Sequence, residues 1–409
     1  MKGIQRGSLI VEMMVSTLIG TVLLYGALSI MLNSRITYLA REGLSSNEGR
    51  GLLALEILAN DIRASGYRGC VSGGDQTIIR GFDSSHDWFM PEVGIRGWEY
   101  SQTEYGDALS VYGLSESPFS GSSWLPSTTP MSAISNATLG SSGITPIAIN
   151  GPLTIGSSTA GITEIAKADE AGRVDMLEGS DVLELWVAQP YVLDINRYIH
   201  TTPGYFEVVP ETMTGFPEGL DDHERLLVVS DCERNMLLQT KLFNHVDGRV
   251  NLGTTNLNAL QLYEFRDRGQ ALMIQGVMYY LALPSGRDRP SLYRKEINSD
   301  GSYKNAEEVV PSVLNLQFLY GENLDNGVSA NTYVEADSVT DWSRVVSVRI
   351  FMLLETERNN AADQGLDYFY FGQNYSPEDA SDKRIRREYT MTVTLRNRAL
   401  GLAVLGNGN

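Results

Sequence analysis

The sequence has few of the residues from which catalytic and metal centres are built. Among 409 residues there are two cysteines and four histidines, and the histidines are scattered: His86, His200, His223 and His245. Paired cysteine ligands and an H-E-x-x-H motif are both missing. So are a phosphate-cradling G-x-x-x-x-G-K-S/T loop and a nucleophile elbow. These absences predict no catalytic residue, no bound metal and no cofactor, and we do not expect an enzyme.

The sequence also lacks an excess of positive charge. Its 32 basic residues face 50 acidic ones, which gives a formal net charge of -18. Such a balance argues against a general affinity for nucleic acid, and no specific nucleic-acid partner is predicted. The compact basic cluster Lys383, Arg384, Arg386 and Arg387 fits either contact with DNA or acidic lipid, or a charged flank that protects the last strand from edge aggregation. We favour the flank.

What the sequence does contain is a long apolar run close to its start. Residues 8–32 carry one formal charge, Glu12, and follow a short leader with two basic residues, Lys2 and Arg6. A helix of this length spans roughly 37 Å, which is enough to cross a bilayer core of about 30 Å. The run therefore predicts a transmembrane helix.

Glu12 needs a physical reason to lie in such a helix. A carboxylate at the membrane centre costs about 2.5–3.5 kcal/mol. A cut after Gly7 would make Ser8 the new N-terminus and place its ammonium four residues, or one helical turn, before Glu12. The two charges could then neutralise each other within one chain or between neighbouring chains.

These residues resemble the prepilins of type IV pili and of type II secretion pseudopilins. That family has a short basic leader ending in glycine, followed by an apolar stretch with glutamate at the fifth position after the cut. Gly7 and Glu12 match the pattern, whereas Ser8 stands where the family usually has phenylalanine or another apolar residue. The resemblance implies cleavage between Gly7 and Ser8 by prepilin peptidase, N-methylation of Ser8, and a role for Glu12 in assembly.

Two plainer interpretations of the apolar run are a secretory signal peptide and a generic membrane anchor. A secretory signal peptide has an apolar core of about 7–15 residues without an acid, so this run is too long, although Ala27 and Ser29 resemble a small-residue cleavage site. A generic membrane anchor explains the length but leaves the pairing of Gly7 with Glu12 without a reason.

The leader charges also predict the orientation in the membrane. Lys2 and Arg6 keep the N-terminus in the cytoplasm, so that the chain after about residue 33 crosses to the outside. In bacteria that compartment is oxidising, and Cys70 and Cys232 are predicted to form one long-range disulfide. The alternative of two independent buried thiols stays open.

A helical pattern continues beyond the apolar run, through residues 34–65, with apolar residues recurring at intervals of three and four. The sequence therefore predicts one helix of about 55 residues that ends near Gly66. Gly43, Gly49 and Gly51 are candidate bend points. Gly49, Gly51 and Ala54 also fit a loose dinucleotide fingerprint, but the preceding buried strand that such a site requires is missing.

The predicted helix end carries a narrower resemblance. Residues 61–70, D-I-R-A-S-G-Y-R-G-C, resemble a segment of PilW-type minor pilins, and residues 228–232 look like the second cysteine region of that family. Further similar stretches resemble its strands, at residues 279–281, 291–294, 316–321, 342–349 and 393–398. The resemblance implies a pilin head outside the membrane.

The rest of the chain is dominated by period-two segments. They predict strands at residues 108–112, 181–187, 226–230, 263–265, 277–283, 314–320, 345–353 and 389–395. Because no long helical patterns alternate with them, we expect antiparallel sheets. We also predict a short helix at residues 306–310 and a Ser/Gly/Thr-rich irregular insertion at residues 115–170. The fold class is therefore α+β, a long N-terminal helix packed on an antiparallel β-sheet domain.

The sequence thus predicts four parts: a leader at 1–7, a helix at 8–66 with its membrane span at 8–32, a β-rich head at 67–400, and a tail at 401–409. The resemblance implies a minor pilin in a priming or tip complex, with other major and minor pilins, prepilin peptidase and the inner-membrane assembly machinery as partners. It would be a single-pass inner-membrane protein with a periplasmic head, and later part of the pilus. The alternatives are a type II secretion pseudopilin, or an anchored periplasmic adhesin or enzyme that uses residues 83–175.

Overall fold

The computed structural model describes about two thirds of the chain, and every structural statement below refers to these residues. They are 6–67, 69, 78–80, 91–100, 103–106, 109, 124–125, 175–177, 179–199, 204–213, 225–231, 235–244, 248–252, 269–284, 287–299, 303–325, 329–359, 361–377, 379 and 381–398.

The N-terminal part is one helix, α1 (Arg6–Ala64), of 59 residues. At about 1.5 Å per residue it is close to 90 Å long. It ends where the Ser65 hydroxyl donates to the Ile62 carbonyl at 2.8 Å and Gly66 takes the left-handed conformation with φ of +68°. Glycine accepts that conformation without steric cost, which is why helices commonly end there. The predicted single long helix is confirmed, and Gly43, Gly49 and Gly51 lie inside it without breaking it.

Strands make up most of the remaining described residues. The first nine are β1 (Ile78–Arg80), β2 (Ile95–Tyr100), β3 (Trp124–Leu125), β4 (Asp175–Met176), β5 (Val182–Ile199), β6 (Tyr205–Val208), β7 (Arg225–Ser230), β8 (Asn235–Asn244) and β9 (Arg249–Leu252). The others are β10 (Gly269–Leu283), β11 (Ser291–Ile297), β12 (Tyr303–Pro311), β13 (Val313–Glu322), β14 (Thr332–Val334), β15 (Val345–Glu355), β16 (Tyr368–Tyr370), β17 (Gln373–Tyr375) and β18 (Arg386–Thr394). Short 3-10 turns lie at Pro91–Val93, Pro210–Met213, Ala336–Ser338 and Trp342–Arg344.

The larger sheet closes on itself over part of its length. Within the described strands, β5 pairs with β6, β6 with β9, β9 with β8, β8 with β7, β7 with β10, and β10 again with β5, all antiparallel. Because the last strand of this series, β10, pairs with the first, β5, the six strands form a small closed barrel. Its interior is filled with buried apolar side chains, among them Leu193, Phe206, Leu227, Leu238 and Val250.

Outside this barrel the larger sheet continues through β10, β11 and β12 on one side and through β5, β2 and β3 on the other. A second sheet has the order β14-β13-β15-β18. The C-terminal half of α1 lies over both sheets, and Leu55, Leu58 and Ile62 share one buried cluster with residues of each, such as Leu185 and Ile350. The opposite face of the second sheet is covered by the β16–β17 hairpin.

The α+β class is thus confirmed. Six of the predicted strands fall on β5, β7, β10, β13, β15 and β18. Parallel pairing occurs between β1 and β8, whereas the other ladders of the described residues are antiparallel. The predicted strand at 263–265, most of 108–112, the insertion 115–170 apart from β3, and residues 1–5 and 401–409 lie outside the described residues.

The predicted short helix at residues 306–310 is wrong, because this segment belongs to strand β12. Ala306 and the two glutamates after it favour a helix in isolation. Val309 and Val310 favour a strand, and Pro311 holds the residue before it in an extended conformation. Pairing along β11 adds a ladder of backbone hydrogen bonds that a single helical turn does not offer.

Candidate assembly site on the N-terminal helix

The first half of α1 stands clear of the head. From Ile10 to Tyr38 nearly every side chain is exposed, including leucines, isoleucines, valines and methionines. Among the described residues α1 is the one helix long and apolar enough to cross a membrane, and none of its most apolar window is buried against the rest of the chain. An exposed apolar surface of this length requires lipid or other protein around it.

The threonines of this half bond to carbonyls of the helix itself. Thr17 donates to the Met13 carbonyl at 2.9 Å and Thr21 to the Leu18 carbonyl at 2.8 Å. Glu12 is exposed on the same segment and makes no ion pair with any described residue. Ser8 lies four residues before it within α1, although the side chains of Gly7 and Ser8 are outside the described set. Among the side chains that the structure describes, Glu12 is therefore a carboxylate without an ionic partner on an exposed apolar helix.

The second half of α1 is fixed to the head at close range by Gly51. A Cβ atom at this position would lie 2.5 Å from a ring carbon of Tyr389 on β18, so the ring occupies the space that any larger residue would need. Gly49, two residues earlier, has open space around it. The glycine at 51 is therefore a point of contact between α1 and β18 rather than a bend.

Charged residues fasten α1 where it reaches the head. Arg50 donates to Glu357 at 3.0 Å and to the backbone carbonyls of Pro311 and Glu355, each at 3.3 Å. Glu48 forms an ion pair with Arg387 at the start of β18. The backbone contacts of Arg50 reach the ends of β12 and β15, so one side chain ties the helix to both sheets.

A second fastening lies near the end of the helix. Asp61 accepts a 2.6 Å hydrogen bond from the Tyr279 hydroxyl on β10 and a 3.2 Å bond from Arg294 on β11. Burial and the neighbouring Asp61 carboxylate raise the pKa of Tyr279, so its hydroxyl keeps its proton and donates. Asn397, just past β18, donates to the Ser65 carbonyl at 3.1 Å. The angle of α1 on the head is thus set by side chains at both ends of its docked half.

The basic cluster at residues 383–387 is largely partnered within the chain. Glu355 is fully buried and meets Arg289 at 2.9 Å and Arg386 at 3.1 Å, with Arg384 at 3.8 Å. Arg386 also pairs with Asp382. Burial raises the pKa of Glu355 even though the three arginines oppose the change. Two members of the cluster, Arg384 and Arg386, are therefore held by Glu355 inside the head, whereas Arg387 is half-exposed and pairs with Glu48 on α1.

A buried pair of carboxyl groups joins the two sheets. Asp181 accepts hydrogen bonds from the Tyr100 amide of β2 at 3.3 Å and from the Phe318 amide of β13 at 2.8 Å. Glu99, 3% exposed, accepts from the Thr103 hydroxyl at 2.6 Å. Burial, followed for Glu99 by the nearby Asp181 charge, raises both pKa values well above the ordinary range. Burial thus favours the protonated form of both groups in the folded protein.

The segments next to the two cysteines meet in the fold. Gly69, with φ of +84°, lies so close to β7 and β8 that a Cβ there would come within 2.5 Å of Ser230 and of the Asn235 side chain. Cys70 and Cys232 themselves lie outside the described residues, as do all four histidines. Within the described part of the chain, no group of three histidine, cysteine, aspartate or glutamate side chains is arranged to hold a metal ion.

Several of these contacts could not be predicted from the sequence. Asp61 and Tyr279 are 218 positions apart, and Asp181 is 81 positions from Tyr100. No periodicity or motif links residues at such separations. Glu12, by contrast, can be recognised directly, since one acid in an apolar run is a local signal.

The fold and the helix together define an α+β protein whose single apolar N-terminal helix fits a membrane anchor and carries a large β-sheet head. Residues 278–397, from within β10 to just beyond β18, match the family model of PilW, described as Type IV Pilus-assembly protein W. The matched segment is less than a third of the chain and leaves out α1 and most of the barrel. It supports a PilW-like relationship and involvement in type IV pilus assembly. No curated protein and no solved structure matches the chain.

Proposed function

We propose that this chain is a minor subunit of a type IV pilus, made as a single-pass inner-membrane precursor with its head in the periplasm. The observation that carries the proposal is Glu12, a carboxylate with no ionic partner among the described side chains, on an exposed apolar helix whose head matches a pilus-assembly family model over residues 278–397. Its partners are other major and minor pilins, prepilin peptidase and the inner-membrane assembly machinery. The chain acts by assembly in a priming or tip complex rather than by catalysis.

The proposed mechanism begins with removal of residues 1–7 on the cytoplasmic side. Cleavage after Gly7 creates an ammonium group at Ser8, the site of the proposed N-methylation, and Glu12 follows one helical turn later. When the helix leaves lipid for the fibre, Glu12 meets the ammonium group of a neighbouring subunit. Two uncompensated charges in an apolar environment are thereby replaced by one ion pair, which favours the docked position over its alternatives.

We also propose a disulfide between Cys70 and Cys232 in the exported head. The close approach of Gly69 to Ser230 and Asn235 supports it, because each of these residues lies within three positions of one of the cysteines. The bond would fasten the segment that follows α1 to the β7–β8 hairpin. The helix that bears the pulling force of assembly would then be covalently tied to the barrel.

The central experiment replaces Glu12 by alanine in the full-length protein. We expect normal membrane insertion, because the substitution removes a charge from an apolar span. We expect recovery of this subunit in sheared fibres to fall about tenfold or more, because the partner ammonium is left uncompensated. Glu56→Ala is the matched control, since Glu56 is an exposed acid on the docked half of the same helix. Equal recovery of both variants would remove the docking role of Glu12.

Mass spectrometry of the assembled subunit tests the processing step directly. A mature N-terminus at Ser8, carrying one methyl group, is the expected result. An intact Met1, or a cut near Ser29, contradicts the proposal. The cellular position of the mature protein separates a pilus subunit, found in extracellular fibres, from a pseudopilin, which stays in the periplasm.

A further inference from the structure

A small cleft opens where α1 first reaches the head. It has a volume of about 100 Å³ and lies between the helix and the segment that follows β15. Its polar lining comes from both walls: Glu42, Ser46 and Arg50 on α1, and Thr356, Glu357 and Arg358 on the opposite side. Such a volume accommodates several water molecules or one small polar group, and it is too small for a strand or a helix.

The two walls of the cleft are held close together. A Cβ atom at Gly43 would lie 3.4 Å from the Thr356 methyl group and 3.7 Å from the side chain of Ala361. Further along the helix Arg50 bridges the same walls, since it donates to Glu357 at 3.0 Å. The cleft is thus part of the joint between α1 and the head.

Two of the charges that line the cleft have no ionic partner in the part of the chain that the structure describes. Glu42 projects from α1 and Arg358 from the opposite wall, and both side chains are exposed. Glu357, by contrast, is engaged by Arg50. The cleft therefore presents one negative and one positive charge from facing walls, and the two charges do not form an ion pair with each other.

Hydrogen-bond donors that lack an acceptor lie around the same cleft. The Nε atom of Arg50 is buried and has no acceptor among the described residues, although its other two guanidinium nitrogens donate to backbone carbonyls. The Thr356 hydroxyl accepts from the Ile385 amide at 3.1 Å, which leaves its own proton available to donate. A buried donor without an acceptor is unfavourable, so these donors favour a ligand that is rich in oxygen.

The cleft lies on the side of the head nearest to the apolar half of α1. Leu39 at its edge is seven residues beyond Leu32, roughly 10 Å along the helix. The headgroup layer outside a bilayer core is about 5–7 Å thick. Because helical side chains lean towards the N-terminus of their helix, the Glu42 side chain leans towards this layer. Phospholipid headgroups are therefore the small polar groups that lie nearest to the cleft.

We propose that this cleft binds the zwitterionic headgroup of a membrane phospholipid, with the phosphate against Arg358 and a primary ammonium against Glu42. The Ser46 and Thr356 hydroxyls donate to phosphate oxygens. An anionic headgroup without an ammonium would leave Glu42 facing negative charge, and a quaternary ammonium has no proton to donate to a carboxylate. Phosphoethanolamine is the headgroup that satisfies both walls. The membrane position of α1 rests on the proposed function, whereas the binding test needs no fibre.

The test is native mass spectrometry of the full-length protein, released from detergent micelles that contain one added lipid. We expect the wild type to retain one molecule of phosphatidylethanolamine, at least about fivefold more strongly than phosphatidylcholine or phosphatidylglycerol. Arg358→Gln and Glu42→Gln should each lower this retention by about fivefold or more. Arg41→Gln and Glu56→Gln are the matched controls, because both residues are exposed charges on α1 that do not line the cleft. All four side chains are exposed, so melting temperatures should stay close to that of the wild type.

Each outcome decides the proposal. Equal retention of the three lipids, or a loss in the control variants as large as in Arg358→Gln and Glu42→Gln, overturns the site, because binding then follows the acyl chains or the general charge. Soluble phosphoethanolamine is the second probe. If it displaces the lipid at equal concentration, the cleft recognises a free headgroup and the assignment to a membrane lipid is wrong. A failure of the proposed function is distinguishable, since a chain that is missing from sheared fibres would still retain the lipid.

Discussion

At the scale of single residues, the contact between α1 and the head depends most visibly on Gly51. Alanine there would gain about 1 kcal/mol of helix propensity over glycine. Its Cβ would also lie 2.5 Å from the Tyr389 ring, which forces the ring or the helix to move. Because overpacking a tight contact typically costs 1–3 kcal/mol, we expect Gly51→Ala to lower the free energy of unfolding by up to about 2 kcal/mol after this gain is subtracted. Urea denaturation of the detergent-solubilised protein measures this change.

Gly49 provides the matched control for that prediction. It lies on the same helix, two residues away, with no atom within 4 Å of its would-be Cβ. Gly49→Ala should therefore raise the free energy of unfolding by up to about 1 kcal/mol. If the two alanine variants shift stability in the same direction, the close contact with Tyr389 is not what fixes the helix.

These two glycines also illustrate what the sequence reveals about residues and what it does not. Helix propensity alone identifies Gly49 and Gly51 as equivalent weak points. The structure separates them through Tyr389, more than 300 positions later, which no local pattern indicates. Glu12 could be predicted as a candidate site because its unusual environment is created by its immediate neighbours. A site whose environment is created by residues nearby in the sequence can be predicted from the sequence. A site created by packing between distant residues cannot.

At the scale of elements, the alternating segments predict most strands of the second sheet, but they miss the full extent of strands in the larger sheet. The prediction for residues 181–187 covers the first part of β5, which continues to Ile199. Beyond Val187 the pattern of burial changes, since this part of β5 leaves the layer under α1 and enters the barrel. Barrel closure depends on the pairing of β5 with β10. The sequence of one strand alone does not show which other strand it pairs with, so this closure could not be predicted.

The link between the end of α1 and the β7–β8 hairpin makes a prediction about the two cysteines. A disulfide that closes a loop of this length contributes on the order of 5 kcal/mol in the chain-entropy estimate, as an upper value. We expect Cys70→Ser, Cys232→Ser and the double variant to lower the melting temperature by the same amount, because each removes the same bond. A reductant should lower the wild-type melting temperature to that level and leave the variants unchanged.

The double variant distinguishes a disulfide from two independent thiols, because only independent thiols give losses in melting temperature that add. Two independent buried thiols would give losses that add in the double variant, and the reductant would have no effect on the wild type. That result would refute the disulfide. The serine variants also report on assembly, since loss of the covalent link should lower recovery in fibres by weakening the join between helix and barrel.

At the scale of the whole molecule, the two sheets share more than the apolar core below α1. Asp181 binds one backbone amide from each sheet, at Tyr100 and at Phe318, and Glu99 lies beside it. The family match includes β13 but begins after β2 and β5. The carboxyl pair therefore couples the matched part of the head to strands that lie outside the match.

This coupling should make stability depend on pH, with a sign fixed by the raised pKa values. In the folded state burial raises the pKa of Glu99 well above its ordinary value, so the folded protein holds a proton that the unfolded chain has released. The stability that this group contributes is then fully present below the unfolded-state pKa and falls as the pH rises towards the folded-state pKa.

Glu99→Gln supplies a permanently neutral group of the same shape, so it should weaken this fall in stability. Asp181→Asn should destabilise at every pH, because an amide nitrogen cannot accept a hydrogen bond from a backbone amide. Urea midpoints from about pH 5 to about pH 8 measure the difference between wild type and Glu99→Gln, which cancels the general repulsion of the acidic surface. Parallel curves for these two proteins would mean that the carboxyl pair does not control how the two sheets are held together.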